Sequence, residues 1–126
     1  MTQLAALLFL FVIAGLGVFQ IALAAGAPLG RFAWGGAQAK LPAALRIGSV
    51  VSLFIYGACA AMIADRAGLI DVVADDVSRI GAFVVAGFLS LGVVMNAISR
   101  SKPERFTMTP VAFVLASSAW VVALGL

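Results

Sequence analysis

The chain contains no histidine and a single cysteine, Cys59. Without His it lacks the commonest general base, the usual proton shuttle and the commonest metal or haem ligand. One Cys forms no internal disulfide and no cysteine-based metal site. Set in an apolar run, Cys59 reads as a small hydrophobe and not as a nucleophile. Charge is scarce too. Asp, Glu, Lys and Arg make up 10% of the 126 residues, against about 25% in a soluble domain. No charged residue falls in the middle of an apolar segment. Ion-coupled pumps and proton-driven exporters usually need such a group inside the membrane, so its absence counts against both.

What is present is hydrophobic surface: 64% of the residues are apolar. That composition fits neither a soluble domain nor a disordered one, and it makes a lipid bilayer the solvent. One domain, residues 1–126, is expected. Four apolar segments stand out, at about Leu4–Gly26, Leu45–Ala64, Ile80–Ile98 and Pro110–Leu126. A span needs about 20 residues, and each must be helical because an open strand leaves its amides unpaired in lipid. The expected fold class is an all-α membrane protein, a bundle of four transmembrane helices. Ala22, Ala24 and Ala25 resemble a cleavage site, but no Lys or Arg precedes the first run, which is also long for a signal peptide. It reads as a retained helix.

The net charge is +3. The basic residues sit in short loops beside the spans, which points to membrane orientation and anionic headgroups instead of nucleic acid. Arg31, Lys40, Arg46, Arg100, Lys102 and Arg105 flank the first and third loops; only Arg66 and Arg79 flank the second, with Asp65, Asp71, Asp75 and Asp76. The positive-inside rule puts loops 27–44 and 99–109 in the cytoplasm. Both termini and loop 65–79 then face outward.

The two halves are weakly alike. Leu16-Gly17-Val18 recurs as Leu91-Gly92-Val93, Pro28 matches Pro103, and Arg31-Phe32 matches Arg105-Phe106 one step out of phase. A Pro, Pro42 or Pro110, is expected to open the helix after each loop, where its missing N–H costs nothing. Duplication of a helical hairpin is one reading, and it would give two parallel repeats.

Four constellations carry the polar chemistry. Gln20, Arg46, Asn96, Arg100, Glu104 and Arg105 fall near the cytoplasmic ends of the helices, and Asn96 and Arg100 share a face. This set suits an anionic group such as a lipid phosphate. The plainer reading is snorkelling Arg and helix-joining amides. Arg46, Ser49, Ser52, Tyr56 and Cys59 form a stripe on the second helix. That stripe either lines a polar crevice with Gln20, Ser90, Asn96 and Ser117 or packs helices closely, as do Gly48-x-x-x-Ser52, Gly57-x-x-x-Ala61, Ala86-x-x-x-Ser90 and Ala112-x-x-x-Ala116. In the first loop Gly30, Gly35 and Gly36 offer N–H groups to an anion, or form an interfacial turn anchored by Phe32 and Trp34. In the second loop Val72, Val73 and Val77 suggest a short interfacial helix capped by Asp71. Asp71, Asp75 and Asp76 lack the spacing of a calcium loop. No metal and no cofactor is expected.

Phe19-Gln20, Gly26-Ala27-Pro28-x-Gly30, Leu41-Pro42-x-x-Leu45-Arg46-x-Gly48-Ser49 and Met95-Asn96-x-x-Ser99-Arg100-Ser101-x-Pro103-Glu104-Arg105 together resemble a family of small bacterial four-helix integral membrane proteins that are uncharacterised in activity. The resemblance implies a protein of the bacterial inner membrane and brings no activity with it.

The expected function is that of a non-enzymatic polytopic membrane protein. It binds a lipid, an anionic ligand or a partner membrane protein through the Arg/Asn/Gln cluster. The alternative is a small-solute transporter or channel acting as a homodimer; it needs a hydrated path past Tyr56 and Gln20. Membrane lipids are the expected partners, with a partner membrane protein or a second copy beside them, and no nucleic acid.

Overall fold

The structure, a computed structural model, describes residues 1–126. It is an all-α bundle of four long helices: α1 (Thr2–Ala24), α2 (Ala43–Arg66), α3 (Asp75–Ala97) and α4 (Lys102–Leu124). All four are long and apolar enough to cross a membrane, which makes this a multi-pass membrane protein. Their outer faces carry exposed Leu, Ile, Val and Phe such as Phe11, Phe54, Val84 and Phe113, the surface expected where lipid is the solvent.

The helices run up and down around a ring. Each packs on its neighbours in the chain, and α1 closes the ring on α4. The Thr2 hydroxyl donates to the Leu126 carbonyl, so the N-terminus of α1 and the C-terminus of α4 meet. One end of the bundle holds residues 67–74 and both termini and is acidic. The other holds residues 25–42 and 98–101 and is rich in Arg. The hairpins α1–α2 and α3–α4 therefore point the same way, with connections of unequal length.

The acidic half of the bundle is a dry core of Ala6, Phe9, Ile13, Cys59, Ile63, Ala82, Val85, Ala86, Leu115, Ala119, Val122 and Ala123. The most extensive helix pair is α3–α4. Ala112, Ala116, Ala119 and Ala123 are all buried on α4, spaced four, three and four apart. Small residues at that spacing let two backbones approach closely, and packing of that kind drives association in lipid. Gly57, at the head of another small-residue pair, has nothing near it and faces outward.

The helix ends differ from the sequence expectation in a systematic way. Charged and capping residues that look like loop belong to helices. The largest difference is in α4, which begins at Lys102 and not at Pro110. Ser101 is its N-cap and accepts from the Glu104 N–H at 3.3 Å, Pro103 sits in the first turn, and Pro110 lies well inside. Pro inside a membrane helix is tolerated because the freed carbonyl can be satisfied otherwise. Likewise α3 starts at Asp75 with Ala74 as N-cap and no side-chain cap. The short helix capped by Asp71 does not form; Val77 belongs to α3 itself. Loop 65–79 shrinks to residues 67–74, and loop 99–109 to residues 98–101. Helix α1 shifts two residues towards the N-terminus, to Thr2–Ala24, and α2 gains two residues at each end, to Ala43–Arg66.

A mostly apolar cavity under the Trp34 loop

The first connection folds over the Arg-rich end of the bundle. It contains two single helical turns, Gly30–Phe32 and Trp34–Gly36. Trp34, Gly35 and Gly36 all take positive φ, at 53°, 78° and 73°. For a bulky residue such as Trp this conformation is costly, so tertiary contacts must hold it. Gly48 makes room for the indole: a Cβ there would lie 2.9 Å from the ring. Two further bonds pin the loop to the start of α4. The Ser101 hydroxyl donates to the Arg31 carbonyl, and the Gly35 N–H donates to Glu104 Oε2 at 3.2 Å. Gly36 lies against Ser101, where any side chain would collide.

The sequence Ser101-Lys102-Pro103-Glu104 matches a capping box, in which the acid reaches back to the N-cap N–H. Here Glu104 turns away from that role. The Ser101 N–H goes instead to Ser99 Oγ at 3.2 Å, and the carboxylate reaches the loop. The glycine loop does present an N–H to an anion, and the anion is Glu104 of the same chain.

Beneath the loop lies a cavity of about 280 Å³. All four helices line it, through Leu16, Phe19 and Gln20 of α1, Ser52, Ile55 and Tyr56 of α2, Phe88, Leu89, Gly92 and Asn96 of α3, and Glu104, Met108, Val111, Ala112 and Leu115 of α4, together with Phe32–Trp34. Leu89 and Leu115 form its floor, since both also belong to the dry core. Ile55 and Phe88 line it while remaining 41% and 51% exposed. They mark an opening on the side of the bundle, between α2 and α3.

The polar atoms of the cavity are incompletely paired. Gln20 Nε2 donates to the Tyr56 hydroxyl at 3.1 Å. Gln20 is only 7% exposed, and its Oε1 is buried with no partner. Turning the amide over would leave the nitrogen unpaired in its place. Asn96 Nδ2 donates to the Gly92 carbonyl of its own helix at 2.9 Å. Ser52 likewise donates to Gly48. Glu104 is 7% exposed and has no cationic side chain beside it; the only ion pair in the structure is Arg79–Asp76 at 3.8 Å, at the acidic end.

The polar set read from the sequence thus separates. Gln20, Tyr56, Ser52, Asn96 and Glu104 come together at the cavity. Ser49, fully buried, accepts from the Trp34 indole N–H at 3.4 Å. Ser90 and Ser117 do not reach the cavity; with Trp120, whose N–H donates to Ser90 Oγ at 2.9 Å, they line a shallow outer groove. Three of the arginines serve helix ends. Arg46 Nε donates to the Ala24 carbonyl at 2.8 Å, at the C-terminus of α1. Arg66 donates to the Ala123 carbonyl at 3.2 Å, near that of α4. Arg105 reaches the Ser99 carbonyl at 3.5 Å, just past α3, and its guanidinium lies over Phe106, as that of Arg31 lies over Phe32. Helix C-termini attract cations because their last carbonyls are unpaired and the helix dipole is negative there. Arg100 is exposed and makes no bond within the chain.

At the acidic end Asp65 Oδ2 accepts from Val72 N–H at 2.7 Å and Val73 N–H at 3.1 Å. That carboxylate ties down the α2–α3 connection. Asp71 and Asp75 come near it but are exposed.

The cavity lining was only half visible in the sequence. Phe88, Met108 and Val111 carry no polar mark that separates them from lipid-facing residues. The signal that was available is the Ser-x-x-Glu pattern at Ser101–Glu104, which puts Glu104 on a helix and not in a loop.

Fold and site define a helical multi-pass membrane protein with a mostly apolar cavity at one end, into which a few polar groups face. No protein-family model, no curated protein and no solved structure matches the chain.

Proposed function

We propose that this is a non-enzymatic protein of the bacterial inner membrane that holds a small amphiphilic ligand in the cavity under the Trp34 loop. The observation that carries the reading is the cavity itself, about 280 Å³ beneath the Trp34 loop, walled by all four helices and with Gln20, Tyr56, Asn96 and Glu104 in its lining. The cavity has the make-up of a small-molecule site, with apolar walls and a few polar groups. The Arg-rich end faces the cytoplasm, where Arg100, Lys102 and Lys40 meet anionic headgroups. No His and no paired acids lie in the cavity, which supports binding over catalysis.

A second reading, transport of the same ligand by a homodimer, draws on the side opening at Ile55 and Phe88. The packed core below Leu89 and Leu115 leaves the cavity blind in this conformation, which favours binding.

The test is native mass spectrometry of the gently extracted full chain. Gly92 lines the cavity and has nothing within 4 Å of a Cβ position, so Gly92→Leu fills the space without straining the helix. The wild type should retain an extra mass that Gly92→Leu loses. A wild type with no adduct, or a variant that keeps it, would overturn the proposal.

A further inference from the structure

We infer that the ligand's polar head is cationic, a protonated primary amine on a small apolar body. This rests on the ligand-binding reading above and fixes the charge that the site accepts. The chain is basic, and six Lys and Arg gather at this end, which taken alone suggests an anionic ligand. Inside the cavity the sign reverses. None of the six lines it, and Glu104 is the only Asp, Glu, Lys or Arg that does.

Glu104 is buried and lacks a counter-charge. Its neighbours are the Gly35 N–H and the first turn of α4, both attractive to a negative charge. Neither supplies a full positive charge, and buried carboxylates are normally paired with one. Only Oε2 is engaged, so Oε1 is left for a donor. Asn96, in the same wall, adds an amide oxygen, Oδ1, that makes no bond within the chain. An ammonium group has three N–H donors and no acceptor, which complements that set. Aromatic rings of Phe19, Phe32, Trp34, Tyr56 and Phe88 surround the space, and a cation is attracted to ring faces. A phospholipid fits poorly on two counts. Its phosphate would face Glu104, and about 280 Å³ is too little for two acyl chains.

The experiment is calorimetric titration of the full chain in an uncharged detergent with three probes of similar size. They are 2-phenylethylammonium, neutral 2-phenylethanol and anionic phenylacetate. Glu104→Gln keeps an oxygen for the Gly35 N–H and removes only the charge; Gly92→Leu removes the space. The ammonium should bind the wild type tightest, lose about tenfold or more in Glu104→Gln, and fail to bind Gly92→Leu. The alcohol should change by less than about twofold in Glu104→Gln. If alcohol or phenylacetate binds as well as the ammonium in the wild type, the cationic assignment is overturned and the cavity reading survives. That comparison needs no variant. If no probe binds saturably, or Gly92→Leu binds as the wild type does, the cavity reading falls and this inference falls with it.

Discussion

Gln20 and Tyr56 meet across the α1–α2 interface, amide to hydroxyl at 3.1 Å, and this bond leaves the far end of the amide buried and unpaired. The pair therefore joins two helices and at the same time keeps a polar atom in reserve. Tyr56→Phe removes the one partner that Gln20 has. It should lower stability by about 0.5–2 kcal/mol, the range for interhelical bonds in membranes and for stranded polar groups. Gln20→Leu removes the whole amide and with it the unpaired atom, so it should cost less or even stabilise. The double variant should be more stable than the sum of the two singles predicts. Reversible unfolding in mixed micelles measures all three. Strictly additive losses would mean that the two side chains are not coupled.

Arg46 and Arg100 look alike in the sequence and differ in the structure. Arg46 is committed to the α1 C-terminal carbonyl at Ala24, while Arg100 is exposed and unbonded. Arg46→Ala should lower stability by about 0.3–2 kcal/mol. Arg100→Ala should change stability by less than about 0.5 kcal/mol. Thermal unfolding in one detergent separates them. Equal effects would contradict the capping role.

The number of helices, their class and the split of charge between the two ends were legible in the sequence. Long apolar runs and loop charges report on solvent, and solvent dominates here. Helix ends were less legible, because Asp75, Asp76, Lys102 and Glu104 read as loop by polarity although they start helices. A membrane helix continues past the apolar stretch into the headgroup zone, so hydropathy gives the span and capping chemistry gives the end. At the site, Gln20, Asn96, Tyr56 and Glu104 stand out by type. The division between cavity and helix caps did not show, because it depends on which carbonyl each Arg can reach. Arg46 reaches Ala24 only because the loop of residues 25–42 returns α2 alongside α1.

Pro110 sits eight residues into α4 and is exposed. It removes one backbone N–H from the helix and crowds the carbonyl of Phe106. Nearby, the Thr109 hydroxyl is buried without a partner. Pro110→Ala restores the N–H and should raise stability by about 1–3 kcal/mol, less than or equal to the penalty of Pro in a helix interior. Hydrogen exchange at residue 110 and unfolding in micelles measure this. A drop in stability would show that α4 needs its proline for packing against α3.

The proposed orientation rests on counting Lys and Arg, since Asp and Glu contribute little to the sidedness of short loops. Six basic residues adjoin the connections at 25–42 and 98–101, and two adjoin the connection at 67–74. Ala37 is exposed in the first of these and Asp71 in the last. In a Cys59→Ser background, Asp71→Cys should react with a membrane-impermeant maleimide on intact bacterial cells. Ala37→Cys should react only after the membrane is opened. The reverse pattern would invert the topology and put the Trp34 loop outside. Equal labelling of both positions would mean that the chain inserts both ways, and a charge difference of six to two would then be too small to set its direction.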